Sequence, residues 1–252
     1  MCERFSVDIS REQLASSFGI SQKEALPSRC VVTHGHLVPV VRQSADGQNC
    51  LVHLRWGLVP SWSKEASRAC PMITTRSESV SEPPASKEAA AYRRCLVLAS
   101  GFYECKERGP LKRHYHFRLK NNKPMVFAGL WDSWKSPDGV NLESCSILTT
   151  AANHLLSGFN RRMPVILHPD EYLPWLDRKT CEVSGLLPFF HPYPSDLMET
   201  WPPVTAGCDH HPGAQPDPST ETPFTAYCRS ATNSPDSFPG NELTGPRQRR
   251  TA

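Results

Sequence analysis

The most reactive feature of this chain is its start, where Cys2 follows the initiator methionine. A small residue in second place permits removal of Met1, which would leave cysteine as the first residue. The amine and thiol of a terminal cysteine lie on adjacent carbons. The amine titrates near about 7.7–8.0 and the thiol near about 8.5, so both are partly nucleophilic at neutral pH. Such a pair condenses with an aldehyde, first as a Schiff base and then as a five-membered thiazolidine. The competing reading is a frayed terminal residue without a role, since chain ends are usually poorly ordered. A second chemistry, zinc binding, is suggested by Cys30, His34 and His36 and by Cys208-Asp209-His210-His211 in the last fifth of the chain. Thiolate and imidazole do bind zinc, but no C-x-x-C and no second half-site at standard spacing accompanies either group. No metal and no cofactor is therefore expected. G-x-S-x-G, H-E-x-x-H and a glycine-rich phosphate loop are all absent.

Residues 1–201 carry the elements that would position such groups. Ser10-Arg11-Glu12-Gln13 fits a capping box, with Leu14 and Phe18 one turn apart and Gly19 as the stop. Leu37–Arg42, Cys50–Val59, Cys95–Glu104, Ser144–Thr150 and Met163–Leu167 read as strands. In RHYHFRLK (113–120) the apolar Tyr115, Phe117 and Leu119 alternate with polar neighbours. Asn121-Asn122 follows, then KPMVFAGLW, which predicts a tight hairpin. Strands outnumber helices without the alternation of a doubly wound sheet. The expected class is α+β, a mainly antiparallel β-sheet core with short flanking helices.

The remaining residues, 202–252, hold nine of the 24 prolines and almost no branched apolar side chains. Such a stretch cannot offset the entropy of ordering, and a Pro-rich disordered tail is expected. The division is thus 1–201 folded and 202–252 tail. Charge is nearly balanced, 28 Lys+Arg against 25 Asp+Glu, too even to announce a nucleic-acid partner. No apolar run approaches the roughly eighteen residues of a membrane helix. The start lacks the apolar core of a secretory signal. The ten cysteines then read as reduced thiols in a cytosol.

Six segments occur in order: MCxRFS at the start, RWGLVPSW at 55–62, RSES at 76–79, RRCLVLASGFYE at 93–104, FAGLWDSW at 127–134 and RMPVIL at 162–167. Together they resemble the SOS response associated peptidase (SRAP) family, over residues 1 to about 201. The resemblance implies autocatalytic removal of Met1. It also implies a thiazolidine cross-link from Cys2 to the ring-opened aldehyde of an abasic site in single-stranded DNA, which shields the lesion during the DNA damage response. Peptidase and abasic-site lyase activities come with it. The family's GFYEW carboxylate falls on Glu104, which would exchange protons with the terminal amine and the sugar oxygen. Against that stands a plain solvent-facing strand residue. Arg4, Arg76 and Arg162 match family arginines, whose forked donors suit phosphates; structural salt bridges compete. Trp62, like Trp56, matches a tryptophan of a DNA-facing loop, where a base would stack for roughly 1–3 kcal/mol. The basic doublets Arg93-Arg94, Lys112-Arg113 and Arg161-Arg162 are compatible with a phosphate track. A bacterial source would place the protein in cytoplasm and nucleoid, and a eukaryotic one in the nucleus.

The sequence also departs from the family. Glu3 stands where glycine is usual, Thr74 replaces the asparagine of the NARSE motif, and Cys105 replaces the tryptophan of GFYEW. Asn160 stands in place of the histidine two residues before the arginine of RMP. An amide cannot titrate, so an acid–base group is lost there. Val31–His36 replaces an asparagine–alanine–proline–threonine segment, Pro174 sits inside an expected helix, and the closing asparagine-rich loop is missing. Condensation at Cys2 needs only the aminothiol, an aldehyde and positioning. Cross-linking is therefore expected to outlast self-processing and lyase activity, and the alternative is a degenerate, non-covalent binder of single-stranded DNA.

Overall fold

The structure is a computed structural model, and it describes residues 3–20, 30–64, 72–82, 84–108 and 111–204. In chain order its strands are β1 (Arg4–Val7), β2 (Cys30–Thr33), β3 (Leu37–Gln43), β4 (Asn49–Trp56), β5 (Thr74–Arg76), β6 (Arg94–Ala99), β7 (Gly101–Arg108), β8 (Leu111–Leu119), β9 (Met125–Lys135), β10 (Asn141–Ala151), β11 (Arg162–Pro164) and β12 (Met198–Val204). Among the described residues three α-helices accompany them: α1 (Arg11–Phe18), α2 (Pro84–Tyr92) and α3 (Tyr172–Leu176). The class is α+β and mainly antiparallel, as expected. None of the described helices is long and apolar enough to cross a membrane.

One sheet closes on itself. Strand β10 pairs with β4 and with β9, and β4–β3–β6–β9 completes the ring, with β5 and β11 attached to the far end of β10. The second sheet runs β12-β8-β7-β1-β2, all antiparallel. The β10–β4 and β10–β5 pairs are parallel.

The apolar run of β6 reflects burial on both faces. Cys95, Val97 and Ala99 join the core between the two sheets, with Phe5, Phe102, Phe117 and Phe127. Leu96 and Leu98 join the opposite core, with Leu14, Phe18, Ala90 and Trp175. A strand covered on both sides has no solvent face to carry polar residues. The helices are anchored locally. Ser10 and Gln13 exchange reciprocal bonds at the start of α1 (3.2 and 2.8 Å), and Gly19 closes it at φ +68. Arg94, 5% exposed, donates to the carbonyls of Ala90, Ala91, Trp175 and Asp177, so one guanidinium caps the ends of α2 and α3.

Three sequence readings are corrected. Cys95–Glu104 is not one strand: it breaks at Ser100, with β6 in the closed sheet and β7 in the other. The hairpin around Asn121-Asn122 does not form. Both asparagines take positive φ, 63 and 52, but the turn carries the chain from one sheet to the other. Strand β8 pairs with β7 and β12, and β9 with β6 and β10. A shared alternation is satisfied by any sheet face, and the second face here was supplied by β7. Third, β12 continues through Val204, three residues into the expected tail, while the rest of that tail lies outside the described residues. Pro174 is accommodated as the third residue of five-residue α3, where its missing N–H leaves no intrahelical bond unmade.

At the break, Gly101 admits the ring of His116, whose Nε2 lies 3.0 Å from Ser6 Oγ. A Cβ on Gly101 would stand 2.4 Å from that nitrogen and 2.5 Å from the Phe117 carbonyl. Gly101→Ala should therefore destabilise the fold by about 3 kcal/mol, read as a lower denaturation midpoint; an unchanged midpoint would mean that the two sheets shift freely at this junction.

Candidate functional site

Glu104 lies on the inward row of β7, two residues beyond Phe102, where the core between the sheets ends. It is 6% exposed. Opposite it in register on β8 is Tyr115, whose ring meets Phe159 at 4.8 Å. Phe159 belongs to the 152–161 segment that follows β10. There Asn153 Nδ2 donates to the Tyr193 carbonyl (2.7 Å) and contacts Met198 Sδ (3.3 Å), while Asn153 Oδ1 accepts from Leu156 N–H. This segment delivers Asn160, whose Nδ2 donates to Glu104 Oε2 at 3.1 Å. Asn160 Oδ1 accepts from the Arg162 N–H, also 3.1 Å, which fixes the orientation of the amide.

The other carboxyl oxygen, Glu104 Oε1, is buried and has no hydrogen-bond partner among the described residues. Burial raises the carboxyl pKa above its ordinary value, the Asn160 bond opposes that shift, and the charge of Glu3 adds to it. A carboxyl with one oxygen held by an amide and a pKa raised by burial is suited to exchanging protons.

The other residues singled out in the sequence fall into two groups. Trp62 is 68% exposed. Its loop is held from beneath: Ser61 N–H donates to Asp132 Oδ2 (2.9 Å), Trp134 Nε1 to the Ser63 carbonyl (2.6 Å), and Val59 N–H to Ser144 Oγ (2.9 Å). Arg4 is exposed on β1, and its charge partly offsets the burial that raises the Tyr103 phenol. Arg76 is exposed on β5. All three side chains are exposed.

Arg162 is engaged instead. It grips the Glu78 carboxylate with two bonds (2.6 and 2.8 Å) and donates to the Thr149 carbonyl, so an incoming phosphate would have to displace Glu78. Trp56 is core, its Nε1 donating to the Ile73 carbonyl. The doublet Arg93-Arg94 is structural: Arg93 pairs with Glu88 and Asp132, and Arg94 caps helices. Thr74 sits on β5 opposite Ile147. Cys2, on which most depends, lies outside the described residues, as do the Cys30 side chain and the 208–211 cluster. His36 Nδ1 accepts from the Thr33 N–H. Among the described residues no group of three metal-ligating side chains comes together.

Sequence reasoning missed Tyr115 and Phe159. The alternation that marks Tyr115 was visible, but it was assigned to a partner strand that lies in the other sheet.

The model of the SOS response associated peptidase family matches residues 1–206. The chain is 33% identical over 206 residues to abasic site processing protein YoqW of Bacillus subtilis (strain 168), which spans 80% of this chain and 91% of that protein. It is 34% identical over 166 residues to abasic site processing protein HMCES of Gallus gallus, covering 54% of this chain and 48% of that one. A solved structure of a Bacteroides thetaiotaomicron protein shares the fold with TM-score 0.72 at 22% identity, covering 80% and 91% of the two chains.

The buried carboxyl sets a pH dependence. Because its folded pKa is raised, Glu104 contributes stability that is fully present below the ordinary carboxylate range and is lost as pH rises through the folded value. Glu104→Gln keeps the shape without the charge. Its denaturation midpoint should match the wild type in acid and exceed it at neutral pH; a variant less stable at neutral pH would contradict this assignment.

Proposed function

Since the chain belongs to the SOS response associated peptidase family, we propose that it processes abasic sites in single-stranded DNA by forming a covalent link through Cys2. The observation that carries this reading is the Glu104–Asn160 pair. It supplies a buried proton-exchanging group that feels the charge of Glu3, the covalent neighbour of Cys2.

The steps balance as a condensation. An abasic deoxyribose rests mainly as a closed hemiacetal. Opening it takes the proton from the anomeric hydroxyl and places one on the ring oxygen, a transfer within the reach of a single carboxyl. The Cys2 amine then adds to the aldehyde carbon, and water leaves as the imine forms. The Cys2 thiolate adds to the imine carbon, and the nitrogen takes up a proton to give the thiazolidine. Only water is released. Removal of Met1 precedes all of this, by the chain itself or by a general aminopeptidase. Asn160 orients the Glu104 carboxyl but cannot share its titration, so Glu104 is the one acid–base group of the pair. Trp62, Arg4 and Arg76 offer a stacking face and two cations for the bases and phosphates of the strand.

Intact mass before and after mixing with a single-stranded oligonucleotide bearing one abasic site tests the reading. A chain lacking Met1 should gain the oligonucleotide mass less one water, and Cys2→Ala should gain nothing. A chain that keeps Met1 and gains nothing would leave a non-covalent DNA-binding relative. With Cys2 present, Glu104→Gln should slow cross-linking by about 100-fold, within the usual range for loss of a general acid–base group. Rates within a few-fold of wild type would remove Glu104 from the mechanism.

A further inference from the structure

Antiparallel neighbours that carry like charges directly opposite one another destabilise a sheet. The β7–β8 pair contains such a position: Lys106 stands opposite Arg113, both exposed. They lie on the face of the ribbon that carries Glu104 and Tyr115, one row further along, because side chains two residues apart share a face. The location of the ammonium is independently fixed. Lys106 Nζ lies 4.7 Å from the Phe159 ring centroid, and Phe159 also touches Tyr115 and precedes Asn160. Gly158 lies beside that ammonium, where a Cβ would stand 3.8 Å from it, in ordinary van der Waals contact.

The exposed or half-buried cations Arg42, Arg93, Arg118 and Arg162 each hold a carboxylate, Glu143, Glu88, Glu199 and Glu78 respectively. Neither Lys106 nor Arg113 is in an ion pair with any side chain the structure describes. Two adjacent cations without counter-charge among the described residues, set one strand row from a buried carboxyl, form an anion site that no described side chain fills. A compact ammonium and a forked guanidinium together suit the two free oxygens of a phosphodiester.

We infer that Lys106 and Arg113 together bind one backbone phosphodiester of the DNA strand, next to the sugar that reacts at the Glu104 site. This rests on the reading of the protein as an abasic-site processor of single-stranded DNA. The pair adds to affinity and sets where along the strand the reactive sugar stops. It takes no part in bond making.

The test separates binding from chemistry by using the full chain with Cys2→Ala and an intact single-stranded oligonucleotide. Neutralising the pair by Lys106→Gln and Arg113→Gln should weaken binding severalfold at low salt. It should also reduce the slope of log affinity against log salt by about 0.7, the value for one phosphate of a single strand. Lys106→Arg with Arg113 intact should retain the wild-type slope. In a methylphosphonate scan around one abasic position, a neutral linkage at the contacted phosphate should erase the difference between wild type and the double variant, and linkages elsewhere should preserve it. An unchanged affinity and slope in the double variant, while the Cys2-containing chain still cross-links, overturns this inference and leaves the proposed function standing. Failure of the wild-type chain to bind or cross-link any single strand overturns both.

Discussion

A strand covered on both faces must be apolar at every position, and Cys95–Ala99 meets that demand between two cores. The rest of the molecule is arranged around this central strand. The helices cover one side through Leu96 and Leu98, and the second sheet covers the other through Val97 and its phenylalanine neighbours. The run must end where one of its covers ends, and it does so at Ser100. There the chain leaves the closed sheet for the open one, and Gly101 lets His116 lie across the junction. Glu104 follows four residues later, at the rim of the same core. The site is thus placed by the point at which double burial ceases.

That placement has an energetic sign. A carboxylate at the rim of an apolar core loses hydration and recovers only part of it from one amide, with Oε1 unpartnered among the described residues. A protein selected for stability alone would carry a neutral residue there. The like-charged pair at Lys106 and Arg113 is a smaller instance of the same pattern. Both features cost stability in the isolated chain, and both would be compensated by the proposed DNA strand with its aldehyde and phosphates.

Much of this was legible in the sequence. The capping box at Ser10, the stop at Gly19, the strand from Leu37 and the strand character of Ser144–Thr150 follow from local pattern, because their determinants lie within one element. Pairing was not legible. Alternation in RHYHFRLK states which residues share a face but not which sheet covers it, so a turn with two positive-φ asparagines was read as a hairpin when it links two sheets. The same limit applies to charges. Arg162, Arg93 and Arg94 are arginines of similar appearance in sequence, yet a carboxylate occupies the first two and four carbonyls the third. Partners 39 to 84 residues away along the chain decide whether a cation is available.

The anchoring of Asn160 has a consequence for how the site comes into being. Its segment is tied through Asn153 to the Tyr193 carbonyl and to Met198, at the start of β12. Glu104 leaves the ribosome early, whereas the residues that hold its partner in place emerge about ninety positions later. A growing chain therefore carries its carboxyl through about ninety further residues of synthesis without the arrangement that joins it to the amide. The pair assembles when the last described strand docks, so late folding completes the Glu104–Asn160 contact.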